Sequence, residues 1–223
     1  MTFMTLVTDL HRETGAGSVA PSTALDQVGE AGRLVDWIKQ ANLFIQNKHT
    51  DWLFLWSQES FVTVDGNDIE TPPADLAGYD RDTFFIDGEP LEAVNYIEVK
   101  QEVRESGTGK PYRVVIMPDG TLRMDQIPNG AYTITYDYWT SAVGFSSGTE
   151  NDNDVSLIPE RFHQAIVGLA MTYYAMYEEA PEILNRGQVK YMEWLPQLES
   201  NQLPGDRHMH STAEGNDMVI EVE

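Results

Sequence analysis

The sequence predicts an α+β protein, in which an antiparallel helical bundle carries an inserted small β-sandwich or barrel and continues into an extended C-terminal arm. Residues 29–48 and 158–177 repeat apolar side chains roughly every three to four positions, the spacing of a helix with one buried face. Residues 60–139, between them, instead alternate apolar and polar side chains, as half-buried strands do. Strand-like sequence between two helical segments predicts a β domain inserted into a helical body.

These patterns divide the chain into consecutive segments. We expect the N-terminal helices of the bundle in residues 1–57, the inserted β domain in residues 58–142 and a flexible or solvent-exposed linker in residues 143–157. The C-terminal helices of the bundle follow in residues 158–200, and the C-terminal arm occupies residues 201–223. Glycine, serine and acidic residues mark the linker, and polar residues that no core obviously claims mark the arm.

A short first helix is predicted near the N-terminus. Leu6 and Leu10 lie on one helical face, Thr2 or Thr5 can cap the start, and Gly15 can end the helix. The residues up to position 26 are rich in Gly, Ser, Thr and Pro, which is typical of a connector or of an arm that lies on a neighbouring subunit.

The second predicted helix, residues 29–48, has a wider apolar stripe than one partner helix needs. Trp37 and Phe44 lie about two turns apart on a face next to the main stripe. The helix and the aromatic cluster at residues 52–56 are either buried within the subunit or also form a second contact surface. On the second interpretation, Trp37, Phe44 and Trp52 are the candidate inter-subunit contacts.

The β domain is predicted from several short strands. Pro118 and Gly120 form a turn between two of them, so residues 112–124 are expected to form a hairpin. In the last strand, alternation places Ile134 and Tyr136 on the same face. The strand candidates are residues 61–64, 84–86, 96–99, 112–117, 121–124 and 132–139, and the shared face of the last one carries Tyr132, Ile134, Tyr136 and Tyr138.

Two further helices are predicted after the linker. The third begins near Pro159, a residue favoured in the first helical turn, and Gly168 permits the close approach of another helix. The fourth covers residues 182–195 and is expected to end or kink at Pro196. Its inward-facing side chains are expected to be Ile183, Tyr191, Trp194 and Leu198.

The charge excludes several classes of partner. The chain has 36 acidic and 14 basic residues, a formal net charge of -22, so it lacks the basic surface that nucleic-acid binding requires. The same excess disfavours anionic membrane surfaces, and no apolar run is long enough to span a bilayer. Without a signal peptide at its start, the protein is expected to be made in the cytoplasm.

Catalytic and metal-binding motifs are missing from the sequence. There is no cysteine, and the Gly-rich residues 106–110 lack phosphate-loop spacing. His208 and His210 fall short of the three or four converging ligands that a metal site needs, and His163 is interpreted as a packing or boundary residue. We therefore expect no enzyme activity, no cofactor and no metal.

One alternative function starts from the aromatic strand. Tyr136, Tyr138 and Trp139 could stack on a sugar, with Asp137 among them, which would make the β domain a carbohydrate- or receptor-binding module. A cell-wall hydrolase that uses a pair of carboxylates is a weaker alternative, because the many acidic residues make chance pairs common.

The pattern of helices, aromatic residues and prolines resembles a known family. Residues 35–38, 42–47, 52–54, 158–163 and 165–170 resemble the head-to-tail adaptor, or connector, proteins of tailed bacteriophages. They are also similar to the tail adaptors of short-tailed phages. The shared order is an N-terminal helix pair, a β insertion, a returning helix with Pro, Phe and His at its start, and a last helix with a C-terminal arm.

The resemblance implies a structural virion protein at the head–tail interface. Such a protein forms a homo-oligomeric ring, commonly of about twelve copies (a dodecamer), beneath the portal protein. The ring continues the DNA channel during genome ejection and offers a platform for the tail tube or nozzle protein and, in some phages, for tail fibres. DNA would pass without specific binding, and no membrane is involved.

The end of the chain is the candidate docking arm. Met218, Ile220 and Val222 alternate with Val219 and two glutamates in a strand-like pattern that no core obviously claims. Segments of this kind often become ordered only against a partner. We therefore expect Met218, Val219, Ile220 and Val222 to contact a partner protein.

Overall fold

The protein is described from a computed structural model, which covers residues 1–17, 19–99, 107–145 and 152–203. Helices and mainly antiparallel sheets coexist in it, so the predicted α+β class is confirmed. The helices are α1 (Phe3–Thr14), α2 (Gly29–Gln46), α3 (Tyr96–Val99), α4 (His163–Tyr177) and α5 (Pro181–Gln202). The strands are β1 (Trp56–Val62), β2 (Ile69–Glu70), β3 (Leu76–Tyr79), β4 (Phe85–Ile86), β5 (Glu89–Pro90), β6 (Glu92–Asn95), β7 (Thr108–Gly109), β8 (Arg113–Ile116), β9 (Leu122–Met124), β10 (Ile127–Pro128) and β11 (Thr133–Thr140).

Helix α1 begins and ends where its sequence signals predict. The backbone N–H of Thr5 donates to the hydroxyl of Thr2 at 3.3 Å, which satisfies one of the free amides of the first turn. Gly15 adopts a φ of 65°, the left-handed conformation that glycine reaches without strain, and its N–H closes the helix onto the carbonyl of His11 at 3.0 Å.

Helix α4 lies at the centre of the helical body and packs against α1, α2 and α5. Most of its residues are buried, because it is apolar on nearly all sides. The contact with α5 is very close at two glycines. A Cβ atom at Gly168 would lie 2.8 Å from the backbone nitrogen of Tyr191, and one at Gly187 would lie 2.9 Å from the carbonyl oxygen of Gly168. The predicted close approach at Gly168 is therefore confirmed.

The β region contains two main sheets. One has the strand order β1-β11-β4-β5, with β3 also paired to β11, and the other has the order β2-β9-β8-β6. Strands β8 and β9 form the predicted antiparallel hairpin, while β6 and β8 run parallel. Both sheets bury side chains in one apolar cluster, which includes Ile134, Tyr136 and Tyr138 of the predicted face and Leu122 and Met124 of the other sheet.

The structure departs from two sequence predictions about the elements. Residues 96–99 form the short helix α3 instead of a strand, because the strand ends just before them and four residues are too few to distinguish the two periodicities. Helix α5 does not end at Pro196, which was one of the two outcomes predicted there, but continues through it to Gln202. Leu195 and Leu198, on both sides of the proline, are buried against the helical body, and this packing outweighs the lost hydrogen bond.

The return segment, residues 152–158, is tied to the helical body. The carboxylate of Asp152 accepts hydrogen bonds from the backbone N–H of Ala24 at 2.6 Å and from the hydroxyl of Thr23 at 3.1 Å. The hydroxyl of Ser156 donates to the side-chain oxygen of Asn42 on α2 at 2.6 Å. This part of the predicted linker is therefore fixed by specific polar contacts instead of being merely solvent-exposed.

Candidate subunit contact surfaces

Trp37 belongs to a group of aromatic side chains at one edge of the helical body. Its ring lies 5.7 Å from that of Tyr174 at an interplanar angle of 87° and 5.8 Å from that of Tyr177. The guanidinium of Arg33 lies 4.4 Å from the centre of the Tyr177 ring. We call Arg33, Trp37, Tyr174 and Tyr177 the aromatic edge.

The aromatic edge is only partly covered by other residues of the subunit. Tyr177 remains 56% exposed and the adjacent Met176 remains 61% exposed. The Nε atom of Arg33 is buried, and no residue in the described ranges accepts a hydrogen bond from it. The exposed apolar area of Tyr177 and Met176 is the part of this edge that a protein partner can cover.

Phe44, the second contact candidate, is 54% exposed on α2. It follows Trp37 by about two turns, but α4 covers Trp37 and leaves Phe44 open. Phe44 therefore keeps the accessible apolar surface that the sequence interpretation requires of an inter-subunit contact.

Trp52, the third candidate, is fully buried in the subunit. Its indole N–H donates to the carbonyl of Ile45 at 3.2 Å, and its ring stacks on Phe54 with 5.3 Å between the centroids. Trp52 therefore has no surface to offer a neighbour in this fold, and its assignment as an inter-subunit contact is corrected. It closes the helical core after α2.

A further exposed apolar surface, on α5, was missed by the sequence interpretation. Val189 is 59% exposed and Met192 is 69% exposed, and Pro196 continues the same face. Their spacings of about three and four residues would have identified this second stripe, opposite the predicted inward face. Ile183, Tyr191, Trp194 and Leu198 pack against the core as predicted.

The candidate docking arm cannot be placed beside these surfaces. Met218, Val219, Ile220 and Val222 lie outside the described residues, as do His208 and His210.

The histidine and lysine considered from the sequence are engaged in other contacts where the structure describes them. No group of three or more His, Asp or Glu side chains within the described ranges is arranged to hold a metal ion. His163 is fully buried, its Nε2 lies 2.7 Å from the carbonyl oxygen of Ile158, and burial lowers its pKa. Lys110, in the Gly-rich loop, is paired with Glu89 at 2.8 Å instead of being free for a phosphate.

Two of the three aromatic residues considered as a sugar platform, Tyr136 and Tyr138, are buried, while Trp139 is partly buried. Tyr136 is 2% exposed and stacks on Phe84 at 5.1 Å, and Tyr138 is also buried. The carboxylate of Asp137 accepts a hydrogen bond from the side-chain amide of Gln58 at 2.8 Å. Because stacking on a sugar requires accessible ring faces, these two tyrosines cannot act as its platform in this structure.

The surfaces of this protein therefore favour association with other proteins. A family model described as SU10 adaptor protein matches residues 1–213. The chain belongs to the SU10 adaptor protein family. This result confirms the resemblance to phage adaptors, and it identifies the chain as a structural adaptor protein of bacteriophages.

Membership of the family also indicates where this adaptor is found and with which kinds of protein it associates. It implies association with portal and tail components and a place in the virion. No protein of curated function matches the chain. None of the helices in the described part is both long and apolar enough to cross a bilayer.

Proposed function

We propose that this adaptor assembles into a ring of about twelve copies between the portal and the tail, where it continues the DNA channel. Its family membership supplies the setting. The observation that carries the proposal is the presence of exposed apolar surfaces on two different helices of one subunit. A closed ring needs such a pair, because each subunit contacts its two neighbours through different faces.

The two surfaces lie on different sides of α4. The aromatic edge and Phe44 belong mainly to α2, and the stripe of Val189 and Met192 belongs to α5, while α4 packs against both helices. In the proposed ring, the α2 side of one subunit meets the α5 side of the next. Burial of these side chains would contribute about 25 cal/mol for each Å² of apolar surface removed from water.

The charge of the chain fits a channel for DNA. With 36 acidic residues against 14 basic ones, ion pairs within the chain leave most carboxylates without a cationic partner. We propose that part of this excess faces the channel, where repulsion between like charges keeps the duplex from adhering and lets it slide. A neutral or basic channel surface in an assembled ring would contradict this part of the proposal.

The docking arm and the β region are assigned to partners in the same proposal. Residues 201–223, with Met218, Val219, Ile220 and Val222, dock onto the portal protein or a tail protein, and the β region forms the platform for the tail tube, nozzle or fibres. Removing residues 204–223 should leave the helical body folded and weaken partner binding. An unfolded product would contradict the role of this segment as an arm.

The proposed ring contacts can be tested with one exposed residue on α5. Met192→Asp places a charge in the stripe and should prevent assembly, because burying that carboxylate against an apolar neighbour is costly. Ile97→Asp is the matched control, because Ile97 is also exposed, at 75%, but lies on α3 in the β region. Rings counted by negative-stain microscopy should disappear for the first variant alone. Equal assembly of both variants would exclude the α5 stripe as a contact.

A further inference from the structure

An end strand of each sheet carries a glutamate that is paired with a residue of the shared apolar cluster, Glu59 with Tyr136 and Glu70 with Leu122. Strand β1 is the end of one sheet order and β2 is the end of the other, and each carries a glutamate, Glu59 and Glu70. Both sheets contribute side chains to one apolar cluster, so they pack together as one unit. We call Glu59, Glu70, Tyr79 and Tyr136 the acidic mouth.

The strand register directs Glu59 toward the tyrosines. Glu59 pairs directly with Tyr136 across β1 and β11, and directly opposed residues place their side chains on the same face of a sheet. Tyr136 faces the buried cluster, so Glu59 lies on that inner face too, at its exposed rim. Tyr79 meets Tyr136 edge-on with 5.5 Å between the ring centroids, which adds a second phenol to the mouth.

The two carboxylates are close enough to influence each other. Burial, and then the charge of Glu59, raise the pKa of Glu70. Burial, and then the charge of Glu59, also raise the pKa values of Tyr79 and Tyr136, and the charge of Glu70 contributes to both increases. The electrostatic potential around these groups is therefore negative.

Neither carboxylate has a cationic partner within the described ranges. Tyr136 is 2% exposed, and its hydroxyl takes part in no hydrogen bond with another described residue. The ring of Tyr136 is therefore buried, while its hydroxyl has no described partner and is influenced by the charges of Glu59 and Glu70. Among the described residues, no positively charged hydrogen-bond donor therefore contacts the carboxylates of the acidic mouth.

The described basic residues of the β region are already engaged elsewhere. Lys110 pairs with Glu89, Arg113 with Glu92, Arg123 with Asp68 and Arg81 with Glu98. A second copy of this strongly acidic chain is a poor source of the missing cation for the same reason. The cation that fits the mouth therefore comes from a different protein.

We propose that the acidic mouth binds an arginine side chain of another protein. The guanidinium would donate to the carboxylates of Glu59 and Glu70 and to the hydroxyl of Tyr136, while its planar face lies against Tyr79. Arginine suits this site better than lysine, because it donates in several directions at once and stacks on aromatic rings. The site is separate from the proposed ring contacts on α2 and α5, so it can be tested on a single subunit.

The test is an NMR titration of the ¹⁵N-labelled full chain with a capped Gly-Arg-Gly peptide. We expect amide shifts concentrated at Glu59, Glu70, Tyr79 and Tyr136. The same peptide with citrulline, which has the shape of arginine without the charge, should bind at least about tenfold more weakly, because charge-assisted hydrogen bonds are lost. This comparison uses the unaltered protein and needs no variant to fold.

Two double variants that remove the same amount of charge show where the arginine peptide binds. Glu59→Gln combined with Glu70→Gln should weaken the arginine peptide at least about tenfold. Glu178→Gln combined with Glu193→Gln removes the same charge from exposed positions of the helical body and should leave binding unchanged. Equal weakening in both variants, or shifts spread over the whole surface, would overturn the proposal. Equal binding of the citrulline peptide would also overturn it and leave Glu59 as a charge that only blocks edge-to-edge strand pairing.

Discussion

The side chain of Gln46 and the backbone of Val143 exchange two hydrogen bonds. The amide Nε2 donates to the carbonyl of Val143 at 3.0 Å, and the N–H of Val143 donates to Oε1 at 3.1 Å. Gln46 is the last residue of α2, and Val143 follows the last strand, β11. The two places where the chain passes between the helices and the β region are therefore joined, as the pairing of Trp56 with Trp139 also shows.

Replacing Gln46 with leucine should destabilise the subunit. Gln46 is 1% exposed, so the change removes two hydrogen bonds from a buried side chain, and the backbone groups of the half-exposed Val143 lose their protein partner. We expect the free energy of unfolding to fall by about 1–3 kcal/mol, measured by urea denaturation. Gln40→Leu, on the exposed face of the same helix, is the control and should change stability little. Equal effects of the two changes would argue against the joining role of Gln46.

Alanine substitutions at Trp52 and Phe44 should distinguish a residue needed for folding from a residue needed for assembly. Trp52→Ala removes a fully buried indole and should cost about 3–5 kcal/mol of subunit stability. Phe44→Ala removes a half-exposed ring, so it should change subunit stability by less than about 0.5 kcal/mol. In the proposed ring, only the Phe44 variant should remain folded while its assembly weakens. A destabilised Phe44 variant would show that this ring serves the fold of the subunit.

Gly168 should not tolerate alanine. The added methyl group would lie 2.8 Å from the backbone nitrogen of Tyr191, so α4 and α5 would have to move apart. We expect a loss of about 1–3 kcal/mol in the free energy of unfolding. Gly17→Ala is a suitable control, because a Cβ at that position meets no atom within 4 Å. A thermal melt of Gly168→Ala that matches the unaltered protein would contradict the close packing of the two helices.

His163 should make stability depend on pH. Burial lowers its pKa in the folded state below the ordinary value of 6.5, so the unfolded chain binds the proton more readily. Its contribution to the free energy of unfolding is therefore constant above about pH 6.5 and decreases as the pH falls below that value. His163→Gln, compared with the unaltered protein by urea denaturation from about pH 8 to about pH 5.5, should lose this part of the pH dependence. Parallel stability curves for the two proteins would show that His163 does not titrate on unfolding.

Local signals in the sequence predicted the features that depend on near neighbours along the chain. The threonine and glycine at the ends of α1, the turn at Pro118 and Gly120, and the buried face of β11 each follow from the chemistry of a few adjacent residues. The structure places all of them as predicted.

Features that depend on tertiary packing were not predictable in this way. Trp52 and Phe44 are both large apolar residues close to the end of α2, yet one is buried and the other exposed, because only the assembled helices decide which side is covered. The same cause lets α5 continue through Pro196 and leaves Val189 exposed. The acidic mouth was missed because Glu59 and Glu70 lie on strands of different sheets, and sequence patterns do not show how two sheets pack.

The proposed ring is tested most directly by native mass spectrometry of the purified full chain, alone and mixed with its portal protein. The account predicts a closed assembly of about twelve copies of the 25.1 kDa chain, either alone or on the portal, and its loss in Met192→Asp. A chain that remains monomeric both alone and with the portal protein would contradict the account.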